Sequence, residues 1–174
     1  MAEVVIRAME PSDVDVIFAW ENDVETWKDG SVNYKPLSKA DIQRFVDNSG
    51  LDIYQERQMR LMIDEAKTRK TVGCVDLFDF DPFSLHANIG ILIDKRYRRN
   101  GYALSAIRWI VDYAFDVLGV RALCATMVSS NEISRQLFEK SGFEFVGTRH
   151  DWIRIGNEMA DELIFEKLNP TKRG

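Results

Sequence analysis

The feature that most constrains this chain is the hand-over between residues 86 and 119. "HANIGILID" is an apolar, strand-like run that ends at Asp94. Lys95, Arg96, Arg98 and Arg99 follow within five positions. A lone Gly101 comes next, and from there apolar residues recur at helical spacing up to Gly119, which suits a C′ glycine. Small residues and cations between a strand and a helix suit the binding of a diphosphate. The first N–H groups of a helix lack an intrahelical acceptor, and the macrodipole adds partial positive charge there. Gly101 and Ala103 let phosphates approach the backbone, and the cations add charge-assisted contacts. The plainer reading is a helix start flanked by solvated Lys and Arg.

The flanking segments supply the rest of a fold. "VVIRAM" reads as a strand, and "PSDVDVIFAWEN" as a helix with Ser12 as its N-cap and apolar residues at 14, 16, 17 and 20. "SKADIQRFVDNS" is a second amphipathic helix with Ile42, Phe45 and Val46 on one face. "QMRLMID" and "TVGCVDLFDFD" form a hairpin across the polar turn "EAKTRK", and 86–94 is the third strand of that group. "RALCATMVS" is a strand and "NEISRQLFEKSG" a helix closed by Gly142. "FEFVGTRHDWIRI" and "MADELIFEKL" are strands joined at Gly156-Asn157. This order predicts an α/β (α+β) fold in which a central mixed, mostly antiparallel sheet of about seven strands carries helices on both faces. We expect one domain over residues 1–170 and a short polar tail at 171–174.

Charge is unevenly spread along a chain of net charge −5. Residues 10–29 hold seven acids and one base, whereas 94–108 hold five bases and one acid. The two fields are either solvated faces or an anion site near a cation site. An acidic chain argues against nucleic acid as a partner. No apolar run approaches the ~18 residues of a membrane span. The start "MAEVVIRAME" does not read as a signal peptide, so a cytoplasmic location is expected. Cys74 and Cys124 lie in apolar runs and read as buried thiols. His86 and His150 lack metal-ligand spacing, so no metal is expected. Dinucleotide, P-loop and GxSxG patterns are absent.

Arg98 to Ala103 fit the pattern Q/R-x-x-G-x-G/A between a strand and a long helix. This resembles the acetyl-CoA-binding motif of the GNAT superfamily of N-acetyltransferases. "SSNEISRQLFEKSGFEFVG" resembles that family's second signature, and both ends of the chain resemble its ribosomal-protein alanine and spermidine acetyltransferase branch. The resemblance implies a GNAT-like domain that moves acetyl from acetyl-CoA directly to a primary amine in a ternary complex. That amine would be a small amine, a polyamine or a protein N-terminus. It implies that the backbones of Ile91 and Ile93 hold the pantetheine arm. Arg98, Arg99, Asn100, Gly101, Tyr102 and Ala103 would wrap the pyrophosphate. Asn131, which also reads as a helix N-cap, would hold the pantetheine or the region near the thioester, and Phe138 would line the channel.

Two positions depart from that pattern. Phe138 stands where many relatives carry a Tyr that reprotonates the thiolate, and Asn88 where many carry a Glu. A lysine-like amine has a pKa of ~10.4, so transfer near neutrality gains from a base. Ser134 is the candidate proton donor and Asp151 the candidate base, with His150 on the opposite face by strand alternation. Cys124 lacks the electropositive setting of a nucleophile. For the acceptor, the acidic N-terminal region with Trp20, Trp27 and Tyr34 would attract a polyamine, unless Trp20 simply completes an apolar face. Edge strands near the C-terminus would suit a homodimer. A non-catalytic acyl-CoA-binding module or sensor is the alternative of a different class.

Overall fold

A computed structural model of the chain describes residues 2–28, 35–50 and 52–172. Asp29, Tyr34 and the side chains of Trp27 and Lys28 lie outside what is described. The period-two apolar runs become seven strands: β1 Val4–Ala8, β2 Met59–Glu65, β3 Thr71–Asp81, β4 His86–Ile93, β5 Ala122–Val128, β6 Glu144–Ile155 and β7 Glu158–Leu168. They form one sheet in the order β1-β2-β3-β4-β5-β7-β6. Five of the neighbouring pairs are antiparallel and β4·β5 alone is parallel. The described helices are α1 Val14–Glu21, α2 Val24–Lys28, α3 Lys39–Asp47, α4 Ile53–Glu56, α5 Tyr102–Asp112 and α6 Glu132–Lys140. The expected mixed, mostly antiparallel sheet with helices on both faces is therefore what forms.

Alternation along the strands splits the core into two layers. One face presents Ile63, Val75, Leu77, Ile89, Leu123, Ala125 and Phe165 to Ala106, Ile107 and Ile110 of α5 and Phe138 of α6. The other presents Met62, Cys74 and Leu92 to Ile17 and Trp20 of α1 and Ile42 and Val46 of α3. Ser38 caps α3 by accepting from Asp41 N at 3.1 Å. Trp20 is 7% exposed, and its indole N–H donates to Asp94 Oδ2 at 3.0 Å. It therefore fastens α1 to the end of β4.

Local details differ from the sequence expectations. Ser12 does not cap the first helix. Pro11–Asp13 form a 3-10 turn, and Asp13 accepts from Glu10 N at 2.8 Å and from both terminal nitrogens of Arg7 at 2.7 and 2.8 Å. A buried carboxylate with a guanidinium partner makes stronger bonds than a serine hydroxyl, so it organises that turn. The long helix is regular only to Asp112 and widens into a π-type turn over Tyr113–Val117 before Gly119 at φ +67°. Pro170–Lys172 form a turn in which Lys172 Nζ donates to Gly119 O at 2.8 Å.

Two tests of this packing follow from it. A Cβ on Gly73 would run into the Leu92 carbonyl oxygen and lie 2.8 Å from Ile93 Cδ1. Gly73→Ala should therefore push β3 and β4 apart and lower stability by about 1–3 kcal/mol in chemical denaturation. The Arg96 guanidinium, opposed by burial and aided by Trp20, holds the Asp94 carboxyl well below the usual carboxylate range. A depressed folded-state pKa adds stability that is present above the unfolded pKa of ~3.9 and is lost as pH falls through and below it. The melting temperature should drop on acidification through that range, and Asp94→Asn should flatten the drop.

Candidate active site

The parallel pair β4·β5 is short. It holds only at His86↔Ala122, Ala87↔Leu123 and Asn88↔Cys124, although β4 runs on to Ile93 and β5 to Val128. Beyond Asn88 the two strands diverge into a wedge. Asp94 N donates to Val72 O at 2.9 Å, which fixes the hydrogen-bonding phase of β3·β4. Antiparallel partners alternate between bonded and non-bonded pairs. Leu92 and Gly90 therefore spend their backbone groups on β3, while Ile91 and Ile93 turn theirs into the wedge. Arg98 Nε already donates to Ile93 O at 3.1 Å.

The two strands bordering the wedge each lead into a helix at its open end, the carboxyl end where α/β sheets commonly take ligands. After β4 the chain reaches α5, whose N-cap is Gly101 at φ +82° with no side-chain cap. Left-handed backbone of this kind favours glycine, and Arg99 also adopts it at φ +65°. After β5 it reaches α6, capped by Asn131, whose Oδ1 accepts from Ser134 N at 3.0 Å. Two helix N-termini thus face the same end of the wedge.

Arg98, Arg99, Asn100, Gly101, Tyr102 and Ala103 lie together at this end, but their surroundings correct the picture of four free cations. Lys95 Nζ is paired with Asp23 Oδ2 at 3.1 Å and Arg96 with Asp94 at 2.7 Å. The acidic and basic fields of the sequence thus meet at the Lys95–Asp23 ion pair. Asn100 Nδ2 donates to Tyr97 O at 3.1 Å, holding the loop. Tyr102 is largely buried and its hydroxyl donates to Glu65 at 2.5 Å, leaving only its backbone for a ligand. A cleft of about 420 Å³ lies beside the loop, lined by Trp20, Asp23, Thr26, Ile93, Asp94 and Arg98.

On α6, Ser134 is half-buried in the first turn and Phe138 stands one turn further on. Phe138 is 3% exposed and meets Phe143 edge-to-face at 5.1 Å, so it is part of the core beside the wedge. Asp151 sits elsewhere. Between the pairs Arg149↔Glu162 and Ile153↔Ala160, three residues of β6 oppose Asp161 alone. Asp151 in this bulge has φ +49°, its N–H donates to Asp161 Oδ1 at 2.9 Å, and His150 Nδ1 lies 3.0 Å from Asp161 Oδ2. The bulge breaks the two-residue period, so alternation does not send His150 and Asp151 to opposite faces. β7 separates Asp151 from β5, which is two strand spacings or ~10 Å.

The thiols are poor nucleophiles. Burial pushes Cys74 up to about 12 and raises Cys124 as well. They are free cysteines. Among the described residues no His, Cys, Asp and Glu cluster could hold a metal, and no helix is long and apolar enough to cross a membrane.

Two features near the closed end of the wedge escaped sequence reasoning. Arg60 donates to Asp76 at 2.7 and 3.0 Å and to Glu21 Oε1 at 2.5 Å, forming a cluster beside Gly90. Asn88 Nδ2 donates to Asp79 Oδ2 at 2.9 Å. The period of two predicts the strands but gives no sign of the bulge in β3 that brings Asp79 to Asn88.

Comparison with known proteins agrees with this architecture. Residues 3–144 match the family model described as an acetyltransferase (GNAT) domain. The uncharacterized N-acetyltransferase YoaA of Bacillus subtilis (strain 168) is 27% identical over 170 residues, 95% of this chain and 93% of that protein. The spermidine N(1)-acetyltransferase of Vibrio cholerae serotype O1 is 23% identical over 91 residues, 52% of each. In structure, the Vibrio cholerae spermidine N-acetyltransferase solved with CoA and spermine superposes with a TM-score of 0.85 at 20% identity, covering 95% of both chains. With most of its length matched by the family model, and with the wedge and its two helix N-termini in place, the chain belongs to the GNAT acetyltransferase family.

Proposed function

We propose that this acetyl-CoA-dependent N-acetyltransferase acts on a small cationic amine of the polyamine class, with the donor held in the β4·β5 wedge. The observation that carries the donor site is the edge of β4 left without a strand partner, where Ile91 presents its backbone groups and Ile93 its N–H, its carbonyl being held by Arg98, next to the N-terminus of α5. A pantetheine arm extended along this edge adds hydrogen bonds as a further strand would. The pyrophosphate then meets the loop from Arg98 to Ala103, where helix N–H groups do most of the binding and Arg99 adds an exposed charge. Asn131 keeps its amide nitrogen for the donor while its oxygen caps α6, and Phe138 closes the wall of the wedge. Ser134 has no hydrogen-bond partner for its hydroxyl among the described residues, and this leaves it free to protonate the departing thiolate.

The amine side follows from the faces of the sheet. The α5 and α6 side of the wedge is filled by core. The other side carries Asp76 and Asn88 with Glu21 and Asp79 beside them, an acidic surface with Arg60 at its centre. That charge balance favours a cation over a neutral sugar. Spermidine acetylation by relatives agrees with this choice. Transfer itself needs the amine nitrogen next to the thioester carbonyl, and this positioning supplies much of the rate.

Two measurements check these assignments. Gly101→Val forces a β-branched residue into left-handed backbone, so acetyl-CoA affinity by calorimetry should fall about tenfold or more, and the strain should lower the thermal midpoint by a few degrees as well. Arg99→Ala should weaken it by no more than about fivefold, as for an exposed charge contact. Thiol release from acetyl-CoA should be fastest with spermidine or spermine in a panel that includes amino sugars and peptides. Turnover confined to a peptide N-terminus would overturn the polyamine assignment.

A further inference from the structure

The general base is the open position in this site, because Asn88 carries no titratable group. We propose that Asp79 takes the proton from the acceptor amine, with Asn88 as the residue that positions it. The inference rests on the acetyl-transfer reading above. A donor anchored by its phosphates at the open end of the wedge directs its thioester towards the closed end, where pairing stops at Asn88↔Cys124. Asn88 shares a face with Leu92, which packs against α1 and α3, so its side chain lies on the face left for the amine.

Among the described residues four carboxylates stand on this face near the closed end, and one of them, Glu166, lies across β5 opposite Cys124, two strands from Asn88. Asp76 and Glu21 are both bonded to the Arg60 guanidinium, so their oxygens are engaged by a fixed cation. Asp79 bonds only the neutral Asn88 amide, and its Oδ1 has no partner among the described residues. It is also held unusually. Asp79 has φ +49° at a bulge where Phe78↔Asn88 and Asp81↔His86 flank two residues of β3 against one of β4. Aspartate is among the side chains that tolerate this region, and the bulge turns its carboxylate to the Asn88 amide.

Other charged groups stand around Asp79, including Glu166 on β7 opposite Cys124. Asp81 lies 3.7 Å from His86 across the end of the hairpin. Arg57 ends α4 and its carbonyl accepts from Phe80 N at 2.9 Å. Cys124, across from Asn88 on β5, has its pKa raised by burial and stays a neutral thiol near neutrality. Arg60, Asp76 and Glu21 complete the surroundings from β2, β3 and α1.

The proton count closes as follows. The acceptor enters as an ammonium and gives one proton to Asp79 Oδ1. The freed lone pair attacks the thioester carbonyl carbon, forming C–N, and the C–S bond breaks with its electron pair leaving on sulfur. The second proton of the nitrogen passes to the thiolate, and Asp79 returns its own to solvent. One ammonium and one thioester become one amide, one thiol and one released proton.

Asp79→Asn tests this cleanly, because asparagine tolerates left-handed backbone and can keep the contact with Asn88. With spermidine as acceptor, kcat/KM should fall about 10²- to 10⁴-fold while the KM for acetyl-CoA holds. The residual rate should climb about tenfold per pH unit towards the amine pKa of ~10.4, since only free amine then reacts. The wild-type profile should be flatter over that range. The double variant Asp79→Asn with Asn88→Asp, which moves the carboxylate across the hydrogen bond, should regain the flatter profile. A single variant with wild-type rate and profile overturns the inference, as does a steep profile appearing with Asp151→Asn instead. Acetyl-CoA binding without transfer by the wild-type chain to any amine overturns the acetyl-transfer reading itself.

Discussion

Everything that positions the site depends on β4 and β5 being parallel yet paired for only three residues. Parallel neighbours need a crossover, here supplied by α5, and so both strands end at the same edge of the sheet. Each then hands over to a helix, so two helix N-termini converge there. The early end of the pairing leaves backbone donors and acceptors of β4 without a strand partner. Such groups are costly to bury unpaired, and a ligand that pairs with them gains what a neighbouring strand would have gained. A continuous β4·β5 ladder would have given a more regular sheet and removed the wedge proposed to take the pantetheine arm.

The rest of the structure holds that wedge open and in register. One face is closed by the apolar layer under α5 and α6. The other is covered over β2 to β4 by α1 and α3. The Trp20–Asp94–Arg96 contacts fasten the end of β4 to α1, just before the phosphate loop begins. Gly73 lets β3 approach β4 closely at the same level. Ion pairs engage Lys95 and Arg96 beside the loop, which in the proposed reading leaves its backbone to meet the pyrophosphate.

Much of this was legible from local pattern. Alternation in "HANIGILID", the lone Gly101 and the apolar period up to Gly119 placed β4, the loop and α5 correctly, because those signals act over two to four residues. The candidate donor-binding residues fall on the element boundaries that those signals mark, and their role is part of the proposal. Catalytic side chains were harder to name. Asp151 was read as lying on a regular strand, and the bulge opposite Asp161 removed the basis for assigning its face. Asp79 was passed over because only the bulge in β3 turns it towards Asn88.

By itself the sequence determined the kinds of elements, their order and the chemistry of the strand-to-helix loop. These depend on short-range periodicity and on the backbone freedom of single glycines. Tertiary structure alone decided which charges remain available and where the carboxylates lie. Lys95 meets Asp23 across 72 positions, and Arg60 reaches Glu21 across 39. Such pairings depend on how sheet and helices pack, because charge falls off or is screened over distances in space rather than along the chain.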